Sequence, residues 1–193
     1  MGPFITGGGN LAILDDKRYE GIGQRLRDAG FRPDTSAKGH PVRQRWIHSM
    51  FPSAKIEFLI PLAGSESEPG KSQSLEYELA AFIIEGLEVA FNNPITVGLE
   101  GITLFGETAS RQIPVCNPGA FVILKALAFR NRGKFKDAFD LFYMVRNYGS
   151  GIDEVAAYLS PLKDTDPGRQ AIAILREDFL HEKALGPMRA ALF

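Results

Sequence analysis

The sequence has a single cysteine, Cys116, which excludes an internal disulfide framework and any cysteine-rich zinc site. Its three histidines, His40, His48 and His181, match no metal-ligand spacing, and each reads as a surface histidine. No apolar run reaches the roughly 18 residues of a membrane span. Residues 1–10 lack both the basic region and the long apolar stretch of a secretory signal. An excess of charge of either sign is lacking too: the net charge of −1 means that any grip on nucleic acid must come from a local patch. No serine lies in a G-x-S-x-G elbow, and the glycines at 7–9 lack the third glycine of a dinucleotide fingerprint. Gly70-Lys71-Ser72 ends like a phosphate loop, but Gly64 is one residue too far upstream, and Glu66 and Glu68 would repel phosphate. Residues 1–14 contain no acidic residue at all.

What remains is an ordinary globular composition, 45% hydrophobic and 23% charged. A chain of 193 residues buries about 70% of its unfolded surface and needs no covalent staple. These features lead us to expect a soluble cytoplasmic protein with no membrane partner.

Asp15 and Asp16 are good N-caps for a helix over 17–29, and Gly30 stands where a C′ glycine belongs. Residues 32–41 read as a polar loop and 63–74 as another. Strands are predicted at 42–48 and 55–60, with a turn at Pro52-Ser53. Further short strands fall at 95–99, 102–105 and 111–115, whereas 75–91, broken by Gly86, gives no clean pattern. Asn117-Pro118 starts a helix to about residue 130, a second helix follows over 136–148, and 152–193 reads as helical segments broken by Pro161, Pro167 and Pro187. The expected class is therefore α+β, with a helical C-terminal part over 117–193 packed on a mixed core over 1–116 as one compact unit.

The chemistry concentrates in residues 117–148. Lys125, Arg130, Arg132, Lys134 and Lys136 fall within one helix and its following turn, with Lys134 reading as a turn lysine. Asp137 and Asp140 stand at i and i+3 on the next helix. That helix is apolar over much of its circumference, through Ala138, Phe139, Leu141, Phe142, Met144 and Val145, and is expected to be mostly buried. Acids on such a helix must be paired, and Lys125, also in an apolar helix, is the natural partner. One such contact at about 4 Å carries a Coulomb attraction of about 4 kcal/mol before desolvation. Two outcomes stay open: an ion pair that locks two helices, or an anion site in which Lys and Arg hold phosphates while an acid orients the lysine. Upstream, Arg43 and Arg45 point the same way from their strand and Trp46 the other way. They form either a solvated basic face or a phosphate contact. Glu57 either faces solvent at a strand edge, pairs with Arg43 or Arg45, or serves as a metal ligand.

The runs V-C-N-P-G-A-F at 115–121, L-K-A-L-A-F-R at 124–130 and K-D-A-F-D-L at 136–141 resemble the C-terminal signature of nucleotidyltransferase-like proteins of the abortive-infection toxin type. These belong to the polymerase-beta-like nucleotidyltransferase superfamily. Residues 16–31 are similar to the family's helix after its first acidic strand, and K-I-E-F-L-I-P at 55–61 to its later strand, which carries the third metal-site carboxylate. The resemblance implies a mixed sheet flanked by helices and a Mg²⁺-dependent transfer of a nucleotidyl group from a nucleoside triphosphate to a hydroxyl on RNA or protein. A cognate antitoxin is the further implied partner. It assigns metal binding to Glu57, catalysis to Glu57, Lys125, Asp137 and Asp140, and nucleotide binding to Arg43, Arg45, Lys125, Arg130 and Lys136.

The sequence departs from the family where its first two carboxylates, a D-x-D pair after a Gly-Ser turn, should lie. Gly8 and Asn10 stand at about those positions, and Asp15 and Asp16 are adjacent, so on a strand they would face opposite sides. Nucleotidyl transfer is therefore expected to be impaired or absent. A binding module on the same scaffold, or an RNA-binding protein using 125–136, are the alternatives.

Overall fold

A computed structural model describes residues 4–6, 10–12, 21–62, 68–103 and 105–193. The fold is α+β, with strands prevailing in the first half and helices in the second. The chain divides into two compact units, Met1–Ile84 with Ile95–Val115, and Glu85–Pro94 with Cys116–Phe193.

The first unit is built on a mixed sheet. Its strands are β1 (Phe4–Thr6), β2 (Asn10–Ala12), β3 (Phe31–Thr35), β4 (Pro41–His48), β5 (Lys55–Pro61), β6 (Ser72–Ser74), β7 (Ala80–Ile84), β8 (Ile95–Ile102) and β9 (Thr108–Val115). The main path runs β3-β4-β5-β2-β1-β9-β8. Strand β5 is interior: Glu57 is in register with Asn10 of parallel β2 on one side and with Arg45 of antiparallel β4 on the other. Beyond Glu57, β7 takes over the β4 side, pairing Leu59 with Phe82.

The alternation that predicts β4 and β5 sends Trp46 and Phe58 into the core, where both are fully buried with Ile60, Leu79, Ala81 and Ile83. Each such side chain contributes on the order of 1.5–3 kcal/mol through burial. Ile22 and Leu26 of the short helix α1 (Ile22–Asp28) pack on this cluster. Gly30 follows α1 with φ +83°, as a C′ glycine should.

Several expectations change in this unit. The observed N-cap of α1 is Gly21; Asp15 and Asp16 lie outside the described residues, as do Gly8 and residues 63–67. Residues 31–35 form β3 rather than a loop, because Phe31, Arg32 and Pro33 pair with His48, Ile47 and Trp46 before a bulge at Pro33/Asp34. Residues 72–74, read as loop, add β6 to β7, and 80–84 supplies the strand that gave no clean pattern. The three short strands expected after 95 are two long ones, with Thr103 accepting backbone bonds from the turn that joins β8 to β9. His48 is buried rather than on the surface, flanked by the Phe31 and Phe51 rings at 5.1 Å each and accepting the Met50 N–H.

The second unit begins with a 3-10 turn, Leu87–Phe91, and continues with helices α2 (Pro118–Arg132), α3 (Phe135–Asn147), α4 (Ile152–Leu159), α5 (Asp166–Asp178) and α6 (Leu185–Ala191). Asn117 caps α2 as predicted: its Oδ1 accepts the Ala120 N–H, and its Nδ2 donates to the Asn92 and Asn93 carbonyls. Gly133 ends α2 at φ +61°. Pro118 and Pro167 stand in the first turns of α2 and α5, where a missing N–H costs nothing, so these prolines open helices. Val122 of α2, Leu141 of α3 and Val155 of α4 form the centre of a core that Met144, Leu175 and Phe179 extend. Contrary to expectation, α3 is not mostly buried. Asp137, Ala138 and Leu141 are, but Phe135, Phe142 and Tyr143 are exposed.

Candidate functional site

In the second unit, α2 and α3 present the predicted lysine and aspartates to one another. The Lys125 Nζ donates to Asp140 Oδ2 at 2.6 Å and to Asp137 Oδ1 at 3.3 Å, and lies 5.6 Å from the centre of the Phe121 ring. Asp137, 1% exposed, is clasped by Arg132, whose Nε and Nη2 donate to its two oxygens at 2.8 and 2.7 Å. Asp140 takes two bonds of 2.8 Å from Lys136. Burial pushes the Asp140 carboxyl up, but the bonds from Lys125 and Lys136 outweigh it and hold the group below its usual range. The αL turn at Gly133 reverses the chain, so the second half of α2, from Lys125 to Arg132, lies against the first two turns of α3, which carry Asp137 and Asp140.

This cluster holds three cations against two carboxylates, and every one of the five is hydrogen-bonded within it. Arg130 is paired elsewhere, with Glu177 and Asp178 of α5, and those two bonds raise its already high pKa. Lys134 is the N-cap residue of α3 and exposed. The basic run is therefore largely matched by acids. Cys116, just before α2, is buried, and that burial pushes its thiol up to about 11.

In the first unit, Arg45 is the hub. Its Nε donates to Asp34 Oδ2 at 2.5 Å and its Nη1 to Glu57 Oε1 at 3.5 Å. The Thr35 N–H, a 2.8 Å donor to Asp34, and Arg45 together hold the Asp34 carboxyl below its usual range against the opposing effect of burial. Arg43 turns to the Tyr77 carbonyl at 2.8 Å, and the Trp46 indole donates to the Arg43 carbonyl. Of the readings open for Glu57, the strand edge is overturned, since β5 is interior, and pairing with Arg45 is observed.

The structure thus joins Lys125 to Asp137, Asp140 and Lys136 in one unit, and Arg45 to Glu57 in the other. Sequence reasoning missed Asp34 as a partner of Arg45, because residues 32–41 carry no alternation and read as loop. It also did not assign Arg132 to Asp137, although the five-residue spacing across Gly133 is visible.

The donor set does not fit the implied Mg²⁺. Among the described residues, no group of three or more His, Cys, Asp or Glu side chains converges. Glu57 and Asp34 both meet the Arg45 guanidinium, which would repel a divalent cation. No helix among the described residues is long and apolar enough to cross a membrane. Compared with protein families, curated proteins and solved structures, the chain matches none.

Proposed function

We propose that this chain is a non-catalytic binding module on a nucleotidyltransferase-like scaffold. The observation that carries the reading is the state of Glu57, the one carboxylate that the resemblance leaves for a metal. It is engaged by Arg45, and the β2 position in register beside it is Asn10. A hard divalent ion held by one carboxylate, itself paired to a guanidinium, binds poorly.

The Lys125 cluster supports the same reading. A lysine that holds phosphates must offer its ammonium group to them, and here two aspartates take it. The pairing of Lys125, Arg130, Arg132 and Lys136 with carboxylates also weighs against RNA binding through 125–136, since phosphate contacts need cations that are not already neutralised.

The test is transfer of label from each of four α-³²P nucleoside triphosphates, with Mg²⁺ or Mn²⁺, in the presence of RNA and of protein acceptors. The expected result is no labelled product. A labelled product that disappears in Glu57→Gln would overturn the reading.

A further inference from the structure

Helix α3 carries a second face with no counterpart in the cluster just described. Phe135, Phe139, Phe142, Tyr143 and Arg146 recur at i, i+4, i+7, i+8 and i+11, one stripe along the helix. Phe142 and Tyr143 are 51% and 57% exposed. Phe139 touches Tyr143 at 5.9 Å and Phe193, beyond α6, at 5.1 Å between ring centres, so the stripe continues across two elements. Met188 of α6 and Leu192 just after it are exposed as well. A contiguous aromatic and aliphatic patch of this kind marks an interaction surface.

The two charged groups that lie over the rings of this patch are both arginines. The Arg146 guanidinium lies 5.6 Å from the Phe142 ring centre, and that of Arg189 lies 5.4 Å from Phe129 and 5.9 Å from Phe135. Neither arginine has an ion pair with the described residues. The acids of α3, Asp137 and Asp140, are already taken by Lys125, Arg132 and Lys136, and α6 has none. We infer that the exposed face of α3 and α6 docks an amphipathic helix of a partner protein, with leucine-like residues along its buried stripe and acidic residues flanking it. Arg146 and Arg189 would supply the charge complementarity, and Phe142 and Tyr143 the apolar anchors.

Arg189 and Phe193 already lie against Phe135 and Phe139, so the open part of the stripe is Phe142, Tyr143 and Arg146, about one turn at 1.5 Å per residue, over which a partner helix would cross. A second copy of this chain fits less well, because an isologous pairing would bring the arginines of both copies to the interface with no free acid on either α3 or α6 to receive them. This inference rests on the reading of the chain as a binding module and adds the chemistry of what it binds.

The experiment uses the full chain and fluorescein-labelled designed 18-residue helical peptides, followed by anisotropy. One peptide pairs a leucine stripe with glutamates, its twin replaces every glutamate with lysine, and a scrambled glutamate peptide destroys the stripe. Oligouridylate RNA and phosphatidylserine vesicles complete the panel. The expected result is salt-sensitive binding of the Glu/Leu helix at least about tenfold tighter than either control peptide, and a loss of at least about tenfold in Phe142→Ala with Tyr143→Ala. Arg146→Glu should shift preference toward the lysine twin, a gain that no unfolded variant could produce. Equal binding of all three peptides, no binding, binding indifferent to these variants, or capture of RNA or vesicles in place of the peptide would each overturn the inference. Nucleotidyl transfer in the radiolabel assay would remove the binding-module reading alone, so the two failures are distinct.

Discussion

Asp137→Asn tests whether the Lys125 cluster is a structural lock. The substitution keeps the shape of the side chain and removes its charge. Three donors now converge on the carboxylate: two from Arg132 at 2.8 and 2.7 Å, and one from Lys125 at 3.3 Å. At an effective dielectric near 20 each contact has a Coulomb attraction of about 5–6 kcal/mol, but desolvation of the ions offsets most of it. The Arg132 side chain is 51% exposed and its contribution is further screened, whereas Lys125 is 20% exposed. Lys125 keeps Asp140, so it is not stranded. Charge-assisted hydrogen bonds contribute about 1.5–3 kcal/mol in mutational series, and with the screening of Arg132 the loss should be about 2–3 kcal/mol of unfolding free energy. Urea unfolding followed by helical circular dichroism measures it. A double-mutant cycle with Lys125→Met should then give a coupling of about 1 kcal/mol, within the range for residues in contact. A loss below about 0.5 kcal/mol in Asp137→Asn, the range of neutral surface changes, would refute the lock.

Three other outcomes follow from local geometry. Gly119→Ala would set a Cβ 2.4 Å from the Tyr158 carbonyl, which is backbone and has no rotamer to yield, so α2 and α4 must separate; overpacking of this kind costs about 1–3 kcal/mol, readable as a lower urea midpoint, and an unchanged midpoint would contradict the close approach. Cys116, buried and with its thiol pushed up to about 11, should react with a thiol reagent at pH 8 only as fast as the unit opens; rapid stoichiometric labelling of the native protein would count against that burial. The carboxyl of Asp140 is lowered in the folded protein, so its stabilisation is present above the unfolded value of about 3.9 and fades as pH falls through the lower folded value. The difference in melting temperature between the wild type and Asp140→Asn should therefore be constant from pH 7 to 5 and shrink below about pH 4; a difference that grew on acidification would reverse the sign.

The elements legible in the sequence are those where local signals agree. Asn117-Pro118 and Gly133 bracket α2 with a cap and a stop, and the alternation around Trp46 and Phe58 places β4 and β5. The meeting of Lys125 with Asp137 and Asp140 was legible because a buried charge requires a partner and the spacing left one. What was not legible depends on pairing across the chain. Strand β3 has no alternation, and it exists because β4 offers it an edge; with it went Asp34, the closer partner of Arg45. His48 gives no sequence sign that Phe31, from that unrecognised strand, closes over it. The exposure of α3 was misread for a related reason: composition counts apolar residues, whereas burial depends on what packs against each face.

That last point divides α3 into faces with separable roles. At about 100° per residue, Asp137 and Asp140 lie on the side of the helix roughly opposite Phe135, Phe142 and Arg146, with Ala138, Leu141 and Val145 between them. The acids are matched by α2 and the turn after it, and Leu141 by the core. The aromatic stripe has α6 beside it along part of its length and solvent over Phe142 and Tyr143. Substitutions on the two faces should consequently have different signatures. Asp137→Asn should lower the urea midpoint and leave peptide binding by the remaining folded fraction unchanged, while Phe142→Ala with Tyr143→Ala should leave the midpoint within the roughly 0.5 kcal/mol range of surface changes and lose binding. If the aromatic pair instead destabilised the protein as strongly as Asp137→Asn, those rings would be part of the fold's own packing, and their exposure would have no partner to explain it.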